Sequence, residues 1–179
     1  MLKMHQNNLI FAGLFTGLTA IGAFLRIPLP VVPMTLQVFM VLLSGLLLPP
    51  RAALLSQAAY LLLGLAGVPI FAGGGGISYI VAPTFGYVAA QLPAAWATAW
   101  IAGKFRVSAA SLFAASAAGI GILYFLGAFV LYLNLNLLAQ TKISVYETIK
   151  IGIMPFLLPD FLKACAAVFL AVKIRRTFF

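Results

Sequence analysis

The sequence predicts an all-α membrane protein: six transmembrane helices, an outward-facing ligand pocket, and a buried glycine-rich loop between the third and fourth helices. Three observations carry that expectation. Of the 179 residues, 64% are hydrophobic and only 7% are charged, and the mean hydropathy is +1.15. No water-soluble domain of this size hides such an apolar fraction. The apolar residues fall into runs separated by proline, glycine and basic residues. The last run encloses two ionisable residues, Asp160 and Lys163, in surroundings where an unpaired ion is costly. The whole chain, 1–179, is read as one polytopic domain.

Residues 1–8 form a short polar, basic tail. No small-residue cleavage pattern follows the first apolar run, 9–25, which is therefore read as a retained span. Gly13 and Gly17 lie four apart in it, with Thr16 and Ala20 on an adjoining face. Small residues at that spacing let another helix approach closely, whether a partner protein's or one of this chain's own. Residues 26–33 hold Pro28, Pro30 and Pro33 and cannot continue a helix. The second span, 34–48, is short and carries Thr35 and Gln37 near its start. A turn at Pro49-Pro50-Arg51 leads to the third, 52–65. Both fall below the ~20 residues of a full crossing.

Residues 67–87 are apolar yet hostile to helix, with four consecutive glycines, Gly73 to Gly76. Such a segment is tolerated at membrane depth only where protein buries it or it lines a cavity. Flanking Phe71, Tyr79, Phe85 and Tyr87 argue for burial, so a re-entrant loop is expected, with Gly73, Gly74 and Gly75 bringing bare backbone to a ligand. It is no phosphate cradle, since neither GxGxxG nor a following Lys-Ser/Thr is present. The fourth span, 86–102, contains Gln91 and Pro93 and ends at Gly103-Lys104-Phe105-Arg106. The fifth, 108–131, contains Ser116, Gly119 and Gly121, which fit close packing. Residues 132–150 are read as a polar connection. The sixth span, 151–172, carries Pro155, Pro159, Asp160 and Lys163.

Six spans put both termini on one side. Lys3, Arg51, Lys104, Arg106, Lys173, Arg175 and Arg176 collect there, against Arg26, Lys142, Lys150 and the balancing Glu147 opposite, so the positive-inside rule places both termini in the cytoplasm, and a multi-pass protein of a prokaryotic cytoplasmic membrane is expected. Asp160 then lies about eight residues, or ~12 Å, into the sixth span. The proline segment, the glycine loop and the 132–150 connection converge above it on the outer side.

The i, i+3 spacing of Asp160 and Lys163 puts both on one helix face. Such a pair either locks the helix to its neighbours or holds a ligand, and intramembrane ionisable residues mark substrate or ion sites by default. A carboxylate accepts hydrogen bonds and an ammonium donates them. With Gln91 they complement a urea-like group on a small ligand with an apolar body. Other classes fit poorly. The formal charge of +9 is scattered over helix ends and forms no basic, aromatic-interleaved patch for nucleic acid. Cys165 is the one cysteine and His5 the one histidine, so neither a disulfide framework nor a metal site is expected. An enzyme would need a second intramembrane carboxylate, a histidine, or a serine with an evident base. Neither a P-loop nor an acidic Mg²⁺ site is present for ATP hydrolysis.

Pro30-Val-Val-Pro-Met-Thr-Leu-Gln37, Leu46-Leu-Leu-Pro-Pro50, Gly67-Val-Pro-Ile-Phe-Ala-Gly-Gly74, Pro83-Thr-Phe-Gly-Tyr87 and Pro159-Asp160-x-x-Lys163 resemble, in that order, the BioY family. These are the biotin-capturing S components of energy-coupling factor transporters. The resemblance covers nearly the whole chain. It implies biotin as the transported ligand, held near the outer surface by the first-to-second, third-to-fourth and fifth-to-sixth connections, with Asp160 and Lys163 in contact. Gln37, Tyr79, Tyr87, Gln91 and the Gly73–Gly75 backbone complete the candidate site. The resemblance also implies a separate coupling module, a transmembrane T subunit with two ATPase subunits, docking on the Gly13, Thr16, Gly17 and Ala20 surface, and no cofactor. A stand-alone or proton-coupled carrier, with Asp160 titrating, is the alternative. Some relatives carry a polar residue inside the glycine run and a basic one after Gly-Tyr. Here Gly75 and Val88 stand at those places, leaving Lys163, Arg26 or backbone N–H groups to meet a carboxylate.

Overall fold

The computed structural model describes residues 2–105 and 108–178. Seven α-helices follow one another as α1 (Leu2–Phe24), α2 (Gln37–Leu47), α3 (Pro50–Leu65), α4 (Phe85–Lys104), α5 (Ala109–Leu133), α6 (Val145–Gly152) and α7 (Leu157–Phe178). A two-stranded antiparallel hairpin, β1 (Arg26–Ile27) and β2 (Met34–Thr35), joins α1 to α2 and pairs Arg26 with Thr35. Three stretches, Asn7–Phe24, Ala109–Leu138 and Val145–Thr177, are long and apolar enough to cross a membrane.

α2 lies at the centre. Val41 to Leu46 are buried without a break, the pattern of a helix enclosed on every side. Its 11 residues give about 16 Å of length, which a helix surrounded by protein tolerates because it need not match the lipid. Around it the chain is built inside out. Phe125, Phe129, Phe169 and Leu62 face outward, whereas Thr19, Ser44, Ser56, Gln57, Thr98 and Ser116 are buried. Lipid is as apolar as leucine, so helices associate through small residues and internal hydrogen bonds instead. Thr98 of α4 sits between Gly45 of α2 and Gly119 of α5, where a side chain in place of either glycine would overlap it. At the end of α4, Trp96 and Trp100 stack with centroids 6.1 Å apart, and Lys104 Nζ lies 3.3 Å from the Trp100 ring centre. An exposed aromatic-cation cluster of this kind suits a membrane interface.

Several expected boundaries move. Helix α1 begins at Leu2, inside the segment read as a tail, and ends at Phe24. The second span loses residues 34–36 to the hairpin and its exit, because the proline-bearing connection 28–33 brings Met34–Thr35 back to pair with Arg26–Ile27. The third gains Pro50, whose missing N–H is harmless in the first helical turn. Ser108 caps α5 through a reciprocal bond pair with Ser111. Residues 132–150 are not simply a connection. Helix α5 continues through Leu133 and a π-type turn at Asn134–Leu138, and α6 starts at Val145. Ser144 and Glu147 form a capping box there, the Ser144 N–H donating to Glu147 Oε2 at 2.7 Å. The sixth span is broken. A 3-10 turn at Met154–Phe156 separates α6 from α7, with Pro155 at the break. Pro159 does not break α7, since it sits in the first turn, where N–H groups lack helical partners. Asp160 is consequently in the first turn of α7 rather than two turns into a span.

Candidate binding site

Two adjoining clefts lie among the hairpin, the 66–84 loop and helices α4, α5 and α7. The inner one is walled by Val32, Val38, Val88, Leu123 and Phe156, with Gln37, Tyr87, Gln91, Tyr124, Asp160 and Lys163 as its polar members. Its cavity volume is about 70 Å³, so it reaches the ~300–1,000 Å³ of small-molecule sites only together with the outer cleft. The outer one, about 530 Å³, is lined by Arg26, Leu29, Val31, Gly73, Gly75, Ser78 and Val81. Pro33, Ala72, Tyr79 and Thr84 line both.

The polar centre of the inner cleft is Asp160, which is 2% exposed. Lys163 Nζ donates to its Oδ1 at 2.7 Å, and the Tyr124 hydroxyl donates to its Oδ2 at 2.9 Å. Each carboxylate oxygen retains a lone pair, and the ammonium retains N–H groups. The ion pair is therefore held in place without being used up. Gln91 projects from the α4 face that also carries Tyr87, four residues earlier. It is 4% exposed, and its Oε1 is buried without a hydrogen-bond partner. An orphaned buried acceptor costs ~1–3 kcal/mol, and its place in a cavity wall makes it an acceptor waiting for a donor.

The remaining wall is fixed by a directional chain of hydrogen bonds. The Ile70 carbonyl can only accept, so Tyr60 gives its hydroxyl proton there, at 2.9 Å. Tyr60 must then accept from Gln37 Nε2, at 2.8 Å, which turns Gln37 Oε1 toward the Thr35 hydroxyl at 3.1 Å. The hairpin, α2, α3 and the start of the glycine loop are joined in one line. Phe71 stands between Tyr60 and Tyr79, with centroids at 5.4 and 4.7 Å, and it packs against Gly64, where a methyl group would overlap its ring. Tyr79 meets the Thr84 hydroxyl at 2.9 Å. The Tyr87 hydroxyl donates to the Gly152 carbonyl at 2.8 Å, tying α4 to the end of α6. Asn134 Nδ2 donates to the Ala82 carbonyl at 2.9 Å and secures the far end of the loop to α5.

The sequence-predicted residues thus divide. Asp160, Lys163, Gln37, Gln91, Tyr79 and Tyr87 line the inner cleft, and Gly73 and Gly75 the outer. Gly74 lines neither. It closes a tight turn with Phe71 through bonds of 2.8 and 3.1 Å in both directions, at φ +119°, a conformation that favours glycine. Gly75 leaves no room for a side chain, which would run into the Val68 carbonyl. The glycines are only partly covered, and burial in this loop belongs to Phe71 and Tyr79. On α1, Gly13 and Gly17 face open space. Thr16 does not share that face, because it is buried and donates to the Ser56 carbonyl of α3 at 2.9 Å. Ala20 packs against the Tyr60–Phe71–Tyr79 cluster. Tyr124 was not anticipated, since a tyrosine within an apolar helix carries no spacing signal. Thr84 was unremarked too, although it lies inside the Pro83–Tyr87 motif. Among the described residues, no group of three or more His, Cys, Asp or Glu side chains is placed to hold a metal.

A probable biotin transporter BioY of Lysinibacillus sphaericus is 36% identical over 180 residues, covering 99% of this chain and 92% of the relative. The biotin transporter BioY of Thermotoga maritima is 38% identical over 172 residues, covering 96% of this chain and 97% of the relative. A crystal structure of the S-component for biotin from an ECF-type ABC transporter superposes with a TM-score of 0.86 at 23% identity, covering 98% of this chain and 94% of that one. It shares the fold. The profile of the BioY family matches residues 1–179, and the chain belongs to the BioY family.

Proposed function

We propose that this protein captures biotin at the outer face of the cell membrane for uptake. The carrying observation is the polar set of a largely apolar cleft: the Asp160–Lys163–Tyr124 cluster together with the orphaned Gln91 acceptor. The ureido head of biotin offers two N–H donors and a carbonyl. The free lone pairs of Asp160 and Gln91 Oε1 suit the donors, and a remaining Lys163 N–H suits the carbonyl. Val38, Val88, Leu123 and Phe156 suit the fused ring and the aliphatic chain. The relatives named as biotin transporters support the same ligand. The role is transport and not catalysis.

In this reading α1 to α5 and the α6–α7 pair supply six crossings of the cytoplasmic membrane, with both termini in the cytoplasm. The clefts open outward. Work comes from a separate coupling module, a transmembrane T subunit and two ATPase subunits, and the open Gly13/Gly17 face of α1 receives it. Calorimetric titration of biotin and dethiobiotin into the detergent-purified protein tests the reading. Tight biotin binding without any partner, abolished by Asp160→Ala with Lys163→Ala, is expected. Absence of binding in folded wild-type protein overturns it.

A further inference from the structure

The two clefts together present three charged side chains, Asp160, Lys163 and Arg26. Asp160 and Lys163 neutralise each other at 2.7 Å. The inner cleft therefore has no net charge to offer an anion. Arg26 is different. It stands on β1 in the lining of the outer cleft, exposed, and its guanidinium makes no hydrogen bond or ion pair with any described residue. Its backbone is held by the pairing with Thr35, two residues from the inner-cleft Gln37. The same cleft is lined by Ser78, with a free hydroxyl, and by Gly73 and Gly75, whose N–H groups make no hydrogen bond among the described residues. A planar guanidinium with five donors matches a carboxylate better than any other side chain.

We infer that Arg26 is the specificity-determining residue for a carboxylate on the ligand: the ligand's polar head lies in the inner cleft, its aliphatic chain passes the wall shared by Pro33, Ala72, Tyr79 and Thr84, and its acid group meets Arg26 in the outer cleft. This rests on the biotin reading above and adds the end of the ligand that the inner cleft leaves unmatched. A group of that length, with a neutral polar head and a terminal anion, uses both clefts at once. The inner cleft alone would not distinguish the acid from its neutral derivatives.

The test compares biotin with its neutral carboxamide on wild type, Arg26→Gln and Arg26→Lys by calorimetry. Wild type is expected to prefer the acid. Arg26→Gln should weaken biotin about tenfold to a hundredfold, the range of a charged hydrogen bond, and leave the carboxamide unchanged, so that the preference disappears. Arg26→Lys, which keeps the charge and loses the fork, should fall between. Carboxamide binding by Arg26→Gln also reports that the variant is folded; should it bind neither compound, Arg26→Lys decides by whether its preference for the acid is reduced. A preference unchanged in the folded variants overturns the assignment of Arg26. Wild type that binds neither compound overturns the biotin reading itself.

Discussion

Removing both members of the Asp160–Lys163 pair should destabilise the ligand-free protein less than removing either alone. Asp160→Ala leaves the Lys163 ammonium without its counter-ion, and the Lys163 side chain is only 13% exposed. It also takes the acceptor from the Tyr124 hydroxyl. Lys163→Ala leaves a carboxylate, 3% exposed at the side chain, with one neutral donor for company. Breaking a buried pair from one side costs ~3–5 kcal/mol, because a charge is stranded. Lys163→Ala should stand toward the upper end of that range and Asp160→Ala toward the lower, since the longer side chain can reach toward water. The double variant strands no charge. It leaves only the Tyr124 hydroxyl unsatisfied, at ~1–3 kcal/mol. Equilibrium unfolding in mixed detergent without biotin measures all four proteins. Costs that simply add across the two positions would refute the argument, since the pair would then not be coupled in the fold. Biotin binding should be lost in all three variants, so stability and affinity part company in the double.

Gln91→Leu removes the orphaned acceptor at similar volume, and the ligand-free protein should become more stable by about 1–2 kcal/mol, while biotin binding weakens at least tenfold. Unfolding and calorimetry on one preparation check both signs. Tyr60→Phe cuts the chain from Gln37 to the Ile70 carbonyl, and faster hydrogen exchange at the Gly74 and Gly76 amides, with α4 and α5 unchanged, is the expected signature.

Much of this was readable because charge and polarity are rare in the sequence. Asp160 and Lys163 declare themselves by standing in an apolar run, and Gln37 and Gln91 do so more quietly. What escaped has physical causes. Tyr124 looks like any membrane aromatic until its hydroxyl is placed beside Asp160. Helix α6 was hidden by its polarity, although Ser144-x-x-Glu147 is a capping signal that a polar segment can carry as well as an apolar one. The two prolines of the last span look alike in sequence. Pro155 falls at the break and Pro159 in the first turn that follows, and only tertiary placement tells them apart. Thr16 was misdirected because a stripe of small residues does not say which side of the helix is already occupied.

The wall shared by the two clefts bears on time as well as on equilibrium. Tyr79 is held there by Thr84, by the Phe71 ring and, through Phe71, by the Tyr60 chain. A molecule seated in the inner cleft lies against this wall, and its dwell time is expected to follow the opening of the backbone around residues 66–84 as well as its own contacts. Tyr79 and Thr84 line both clefts, so changing them should alter the dissociation constant along with the rates, whereas a change at Phe71, which lines neither, should act on the rates first. If the proposed coupling module energises uptake, slow departure would give a loaded protein time to diffuse through the bilayer before meeting it, and capture and hand-over would become separate events.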